Sequence, residues 1–478
     1  MEKNAPKSRS KLFIENFLVY GVGGTLSRLI PFVMLPILTR LYPSSSYIGI
    51  NDSVNLIVTF ASQIAIMGVY DAMYRYYFEQ ESVEYHRKIT SSALILLLGS
   101  GLIVALLICI FHNSLERLAF GQKTHTGLIY IVSATTYLTT LNTIIAAPTR
   151  MRNQRVRFLA VNFITSAFSY AITIVMVYKG FYITAMPLAA MLAVFLSTVV
   201  FWYFNRGEFA FKSANGHSMK MLLKLGLPCV PSFTFYWILS SAQLVFITNM
   251  IGIEATGIYA VGAKLASISQ LIYSAFAAGW QYFAFSTMKD KDHIQLISRI
   301  FDYLAGISFF ATCTVTLFAK PIFGLLFPVT YEEGAWVMPM LFLAPLVQML
   351  YQTLGAQFWV VKETTKGAFC LLIGTACAII TDVLLIPVVG IRGAAVAGLF
   401  GFTVALTIMV ILLLRRRLIV LSKRALVAML LCYATVILFT SKSNIFVYAG
   451  CAVFSLLAII LMYWRDAVLL LRGLFRAT

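Results

Sequence analysis

Charge is what this sequence has least of. Only 12% of its 478 residues are Asp, Glu, Lys or Arg, about half the ~25% usual in soluble domains. Acids are the scarcer sign, 18 against 37 bases. With 60% hydrophobic residues and a mean hydropathy of +0.86, the chain cannot cover a soluble surface. Cysteine is sparse too: Cys109, Cys229, Cys313, Cys370, Cys377, Cys432 and Cys451 all fall in apolar runs, without a C-x-x-C spacing. They read as small packing residues, not disulfides or metal ligands. The five histidines do not pair at a ligand spacing, so neither a metal site nor another cofactor is expected. No polar stretch is long enough to fold as a catalytic domain outside the apolar runs, which argues against an enzyme.

What the chain has is apolar length. Fourteen runs recur from end to end, at about 15–38, 48–70, 89–111, 127–148, 158–178, 181–204, 222–249, 256–285, 296–319, 335–360, 367–388, 391–414, 425–440 and 445–464. Most approach the ~20 residues that cross a hydrocarbon core of roughly 30 Å. Unalternating runs of this kind suit helices and not a β-barrel, so the expected fold is an all-α polytopic membrane protein of about fourteen spans. The first run follows Lys3, Lys7, Arg9 and Lys11 without a small-residue cleavage pattern, and is expected to be a retained helix.

The net charge of +19 would suggest nucleic acid in a soluble chain, but here the bases occupy short loops. Placing the N-terminus in the cytoplasm puts 28 Lys and Arg on that side and 7 on the other. That split follows the positive-inside rule, predicts both termini in the cytoplasm and requires an even number of spans. The Arg150–Arg157 and Arg415–Arg417 runs read as signals facing anionic headgroups.

A weak repeat runs through the chain. Tyr47-Ile-Gly-Ile50 resembles Thr256-Gly-Ile-Tyr259, with Gly49 matching Gly257 at an offset of 208, and Gly180–Ala185 echoes Gly390–Ala395 at an offset of 210. Six helices per unit make the halves parallel, related by a pseudo-two-fold axis along the membrane normal. The expected divisions are an N-lobe over 1–210, a C-lobe over 211–418 and two appended helices over 419–478.

Arg28 is the residue that fits lipid worst. A cation at the bilayer centre costs roughly 2.5–3.5 kcal/mol on insertion scales and normally faces protein or a water-filled pathway. At ~100° per residue, Gly21, Gly24, Thr25 and Phe32 share its face. Lys264 is the second cation within a span. Polar residues recur at helical spacing on the helices beside them: Asn51, Asp52, Asn55, Thr59 and Ser62 on the second; Ser232, Tyr236, Ser240 and Gln243 on the seventh; Ser267, Gln270, Ser274 and Gln281 on the eighth. Together they suggest a cavity whose two cations favour an anionic solute such as a phosphate or pyrophosphate. The competing readings are hydrogen bonds between packed helices for the stripes, snorkelling for Lys264 and a structural pair for Arg28. Asp382 is a candidate proton or sodium carboxylate, or alternatively a helix-end aspartate in contact with water. Asp71 and Arg75, four residues apart, are expected to pair. Pro31, Pro36, Pro228 and Pro231 break the first helix of each lobe and suit a helix that flexes.

The segments Arg40-Leu-Tyr-Pro43, Tyr47–Ile50, Gly68–Glu79 and Pro387–Gly398 resemble those of bacterial polysaccharide flippases. These are the O-antigen and capsule repeat-unit translocases of the multidrug/oligosaccharidyl-lipid/polysaccharide exporter superfamily. The resemblance spans nearly the whole chain. It implies a bacterial inner-membrane transporter whose substrate is an undecaprenyl-pyrophosphate-linked oligosaccharide, moved from the cytoplasmic to the periplasmic leaflet. It further implies pairing with a polysaccharide polymerase and a chain-length regulator. Related lipid-linked peptidoglycan-precursor flippases hold the pyrophosphate with cations of the first and eighth helices, where Arg28 and Lys264 stand. The last two helices are expected to form a groove for the lipid tail. Fewer cations within the spans than in those relatives points to a different glycan. The alternatives are a multidrug or cation exporter of the same superfamily, which would want acidic cavity residues, and a membrane-bound polysaccharide polymerase.

The Arg28 reading predicts that Arg28→Ala abolishes leaflet translocation of a labelled lipid-pyrophosphate oligosaccharide in proteoliposomes, while Arg28→Lys keeps part of it. Equal transport by folded wild type and both variants would make Arg28 structural.

Overall fold

A computed structural model describes residues 30–120, 126–273, 276, 280, 292–361, 363–441 and 444–477. Among these residues the ordered elements are all helical, which pairs the backbone within each segment where lipid offers it no hydrogen bonds. The chain divides into two compact units at Gly257/Ile258.

The first unit contains α1 (Ile30–Leu41), α2 (Ser46–Ile66), α3 (Val69–Tyr77), α4 (Val83–Ile110), α5 (His112–Phe120), α6 (Thr126–Met151), α7 (Arg155–Tyr178), α8 (Ala185–Asn205), α9 (Gly216–Gly226) and α10 (Val230–Met250). The helix α11 (Ile253–Ala266) straddles the division. The second unit continues with α12 (His293–Leu326), α13 (Glu333–Val360), α14 (Thr364–Val389), α15 (Ile391–Arg415), α16 (Lys423–Thr440) and α17 (Ile445–Ala477). The expected lobes and these units divide the chain on different grounds. The lobes rest on which stretches resemble each other, the units on which residues touch.

Each of the fourteen expected runs carries a described helix. Ten helices among the described residues are long and apolar enough to cross a membrane, or eleven if the bent pair α2–α3 is one span. Three runs do not lie on one unbroken described helix. The first lies partly in 1–29, outside the described residues. The seventh is cut by the 3₁₀ turn Leu227–Cys229, which contains Pro228. The eighth is interrupted at Ser267, after which helix resumes over 268–273.

Glycine decides how the first unit packs. The α2–α3 axis bends by 50° at Met67 and Gly68, both with left-handed backbone (φ +51° and +68°). A Cβ on Gly68 would run into the Gly226 carbonyl, and one on Gly226 would lie 2.6 Å from the Met67 carbonyl oxygen. The break in α2–α3 therefore nests on the end of α9, with no side chain between the backbones. Ser100 Oγ donates to the Ala65 carbonyl at 2.7 Å, satisfying an acceptor just before the bend. At the opposite end of α2, Gly49 lies against Ile253 and Gly257 so closely that a Cβ would strike the Ile253 carbonyl. Ser45 Oγ donates to the Glu254 carbonyl there at 3.2 Å. Gly49 and Gly257, matched by the sequence repeat, thus touch one another.

Among the described residues, two apolar clusters pack the unit. One joins α3, α4, α6 and α9 through Met73, Leu97, Ile144 and Leu222; the other joins α2, α4, α5 and α6 through Val54, Ile108, Phe120 and Ile129. Leu102, Ile103, Leu106 and Ile110 of α4 are exposed, the face a membrane helix turns to lipid.

In the second unit α13 is the centre, with 78% of its most apolar window buried. Tyr463 of α17 donates to Asp302 Oδ1 of α12 at 2.9 Å, and Arg424 pairs with Asp466 at 2.7 Å. These contacts dock α16 and α17 onto α12. In the turn before α14, Arg416 and Lys366 both reach the Glu363 carboxylate and hold its pKa below the usual carboxylate range.

Alanine at Gly68 or Gly49 is expected to destabilise by roughly 1–3 kcal/mol, because backbone must move to admit the methyl. Gly99 of α4 has nothing within 4 Å of an added Cβ, so Gly99→Ala should leave the melting temperature of the detergent-solubilised protein unchanged or slightly raised. Equal melting of all three variants would contradict the packing.

Candidate functional site

The helix α2 carries its polar residues on two faces, where the sequence suggested one. Asn51, Asp52 and Ser62 are buried, whereas Asn55, Thr59 and Gln63 are exposed, and Asp52 lies within electrostatic reach of Tyr170 on α7. The exposed three are spaced four apart and form one stripe along α2. Carboxamides of this kind belong against water or a polar solute, since lipid leaves them unpaired at several kcal/mol each. The opposing helix contributes to the stripe. Trp237 Nε1 of α10 donates to Thr59 Oγ1 at 3.3 Å, and its ring lies 4.4 Å from that of Phe60.

Ser240 of α10 is exposed and donates to the Trp237 carbonyl at 3.1 Å. Gln243 is buried, its Nε2 donating to the Leu239 carbonyl at 3.1 Å, so it is not on the exposed face with Ser240. Tyr236 sits one turn before Ser240, but its side chain lies outside the described residues, as does that of Ser232.

Below Gln63, where α2 breaks, a cavity of about 430 Å³ opens. From α2 and α3 it takes Gln63, Tyr70 and Asp71; from α6 it takes Asn142, Ala146 and Arg150; α7 adds Phe158 and Asn162. Arg150 Nη1 donates to the Tyr70 hydroxyl at 2.9 Å, and the guanidinium lies 5.2 Å from the centre of the Phe158 ring. Among the described residues no carboxylate forms an ion pair with Arg150. Arg75 pairs with Glu79 at 3.2 Å and not with Asp71 as expected, which leaves Asp71 on the cavity wall. The basic run after α6 is accordingly divided in use. Arg150 turns into the cavity, while Arg152 pairs with Glu208 at 3.3 Å and bonds Asn205 at the end of α8.

Sequence reasoning missed this cavity. The available signals were Gln63, which extends the Asn55–Thr59 spacing by one more turn, and Asn142, Ala146 and Arg150, which share a face of α6.

In the second unit Lys264 is half-buried in the last turn of α11. Ser267 Oγ donates to the Lys264 carbonyl at 2.7 Å, at the break itself, and Gln270 is half-buried in the turn beyond. These residues lie at a helix interruption, where the sequence suggested one unbroken face. Asp382 of α14 is only 1% exposed; its Oδ1 accepts no hydrogen bond among the described residues, and it lies near Tyr259. The alternative of a water-washed helix-end aspartate is therefore excluded. Arg28, Ser274 and Gln281 lie outside the described residues. No group of three His, Cys, Asp or Glu among the described residues could hold a metal ion.

A family model described as polysaccharide biosynthesis protein matches residues 13–287. The chain belongs to that family. Solved structures agree on the fold. A lipid II flippase MurJ in an inward closed conformation superposes with a TM-score of 0.69 at 14% identity, covering 94% of this chain and 100% of that one. An inward-facing multidrug resistance MATE family transporter of the MOP superfamily superposes at 0.61 with 15% identity, covering 90% and 96%. An outward-facing transporter of the same description superposes at 0.56 with 16% identity, covering 87% and 99%. No curated protein matches by sequence. This member of the polysaccharide biosynthesis protein family is thus a multi-pass membrane protein that shares its fold with those structures.

The stripe predicts a labelling pattern. With the native cysteines replaced, Asn55→Cys and Thr59→Cys should react with a hydrophilic maleimide, and Leu102→Cys on the lipid face should not. Equal reactivity at all three positions would remove the water-facing stripe.

Proposed function

We propose that the protein is a flippase for undecaprenyl-pyrophosphate-linked oligosaccharide repeat units. It moves them from the cytoplasmic to the periplasmic leaflet of the bacterial inner membrane by alternating access, for O-antigen, capsule or a related surface polysaccharide. The observation that carries the reading is the exposed stripe Asn55, Thr59 and Gln63 on a helix of the membrane domain. Moving a sugar across hydrocarbon costs several kcal/mol per unpaired hydroxyl, and a stripe of carboxamides and hydroxyls removes that cost. Membership of the polysaccharide biosynthesis family and the shared fold with a lipid II flippase support the same reading.

In this mechanism Arg28 and Lys264 neutralise the pyrophosphate. The stripe residues, with Tyr236, Ser240, Ser267 and Gln270, serve the sugars along the path, and the buried Asn51 and Gln243 hold the helices that carry it. Two six-helix lobes, 1–210 and 211–418, rock against each other, with both termini cytoplasmic. Asp382 is the ion-coupling carboxylate: its burial and unpartnered oxygen suit a group that takes up a proton or sodium ion. The helices at 419–478 guide the prenyl tail. An apolar cavity of about 100 Å³ beside α16, lined by Phe309, Leu406, Val410 and Met429, suits a hydrocarbon chain. A polymerase and a chain-length regulator would receive the product.

The direct test follows a fluorescent lipid-pyrophosphate oligosaccharide between leaflets of proteoliposomes, with ethidium efflux measured in parallel. Translocation of the lipid without ethidium efflux is expected. Asp382→Asn should keep the ungated rate and lose at least tenfold of any acceleration by an imposed proton or sodium gradient. Ethidium efflux without lipid movement would replace the flippase with a drug exporter.

A further inference from the structure

We infer that the cavity beneath the α2–α3 break is a binding pocket for a glycosyl phosphate, with Arg150 on the phosphate and Gln63, Asn142, Asn162 and Asp71 on the first sugar. The inference rests on the flippase reading only in taking the glycosyl phosphate to be the head of a lipid-linked oligosaccharide.

Size is the first argument. About 430 Å³ lies within the ~300–1,000 Å³ typical of small-molecule pockets, enough for one sugar and its phosphate but not for a whole repeat unit. The hollow exists because Ala146 and Ala147 of α6 are small where the wall passes beneath Gln63.

The second argument is the unspent charge of Arg150. Its guanidinium is fixed by the Tyr70 hydroxyl at 2.9 Å and by the Phe158 face at 5.2 Å. Both contacts orient the planar fork and neither neutralises it. A guanidinium held in place without a carboxylate suits bidentate binding of a phosphate.

The remaining wall distinguishes a sugar phosphate from a bare phosphate. Asp71 would repel an anion that filled the cavity, yet a carboxylate accepts well from sugar hydroxyls. Gln63, Asn142 and Asn162 each offer an amide donor and a carbonyl acceptor, the pairing that hydroxyls use both ways. Asn142 already accepts from Ser197 at 3.3 Å, and Asn162 donates to the Phe158 carbonyl at 2.9 Å, so both carboxamides are pre-oriented. The pocket lies at the end of α6 that carries the basic run, the side predicted to be cytoplasmic, where a lipid-linked sugar would first meet the protein. At its other end Gln63 is also the last residue of the exposed α2 stripe, so a head group leaving the pocket meets Thr59 and Asn55 next.

The test uses the full chain in phosphatidylcholine nanodiscs and measures affinity by thermophoresis. The probes are citronellyl pyrophosphate and citronellyl-pyrophosphate-linked N-acetylglucosamine. Wild type should bind the glycosylated probe more tightly. Arg150→Gln should weaken both probes roughly tenfold or more, and Arg150→Lys should fall between. Gln63→Leu, where the side chain has no hydrogen-bond partner to lose among the described residues, should weaken the glycosylated probe several-fold and leave the bare pyrophosphate unchanged. Unchanged affinity in Arg150→Gln with an unchanged melting temperature overturns the inference. So does equal displacement of both probes by phosphatidylglycerol added to the nanodiscs, which would make the pocket a headgroup site of the bilayer. Should Arg150→Gln fail to fold, Arg150→Lys and Gln63→Leu decide by the same criteria. The two readings fail separately. Translocation by wild type without Arg150-dependent binding removes the pocket and keeps the flippase; Arg150-dependent binding in a protein that moves no lipid does the reverse.

Discussion

Backbone that leaves the helix inside a membrane has to be sheltered by protein, because hydrocarbon offers it no hydrogen bonds. In the first unit that shelter is the contact of Gly68 with Gly226. Met67 and Gly68 adopt left-handed backbone and turn the helix by 50°; without a second backbone lying directly against it, the break would expose polar groups to lipid. Much of the unit follows from this. The bend carries Tyr70 and Asp71 away from the α2 axis, brings α9 against α3, and leaves a hollow that α6 can only partly fill. Glycine is needed on both sides, since any Cβ would hold the two chains apart.

The polar residues then sort by whether a neighbour is available. Asn51, Asp52 and Ser62 find themselves inside the helix packing, and Gln243 turns back onto its own carbonyl. Asn55, Thr59 and Gln63, on the side facing Trp237, stay open. Such openness is expensive in lipid and costs little in water. The stripe and the Arg150 cavity below it therefore describe one continuous polar surface in the first unit. Its charge is concentrated at one end. Asp382 in the second unit is the opposite case, an enclosed carboxylate with one oxygen unpartnered among the described residues.

Much of the molecule was legible in residue order. The apolar runs gave the helices, and the resemblance of Arg40–Pro43, Tyr47–Ile50 and Gly68–Glu79 to polysaccharide flippases agrees with the family to which the chain belongs. The repeat matched Gly49 with Gly257 as equivalent positions, but that the two touch came only from the structure. Legibility failed at breaks and at ends. The expected break at Pro228 is there, but a hydropathy run passes smoothly over Met67 and Ser267, because a helix interruption changes backbone angles without changing side-chain polarity. The wheel grouped Asn51 with Asn55, 40° apart, although the boundary between buried and open falls between them. Arg150 looked like one more base in a topological cluster, and only its four-residue spacing from Asn142 and Ala146 distinguished it from Arg152.

By itself, then, the sequence determined that the chain is helical and that it lives in a membrane. Those properties follow from side-chain transfer energies and backbone hydrogen bonding, which are summed along the chain and need no partner. Tertiary structure alone decided which polar residues face an open surface, where the helices break, and that Arg150 meets Tyr70 while Arg152 meets Glu208. Those outcomes depend on which residues from distant segments lie opposite one another, and that is set by the close approach of backbones that only glycine permits.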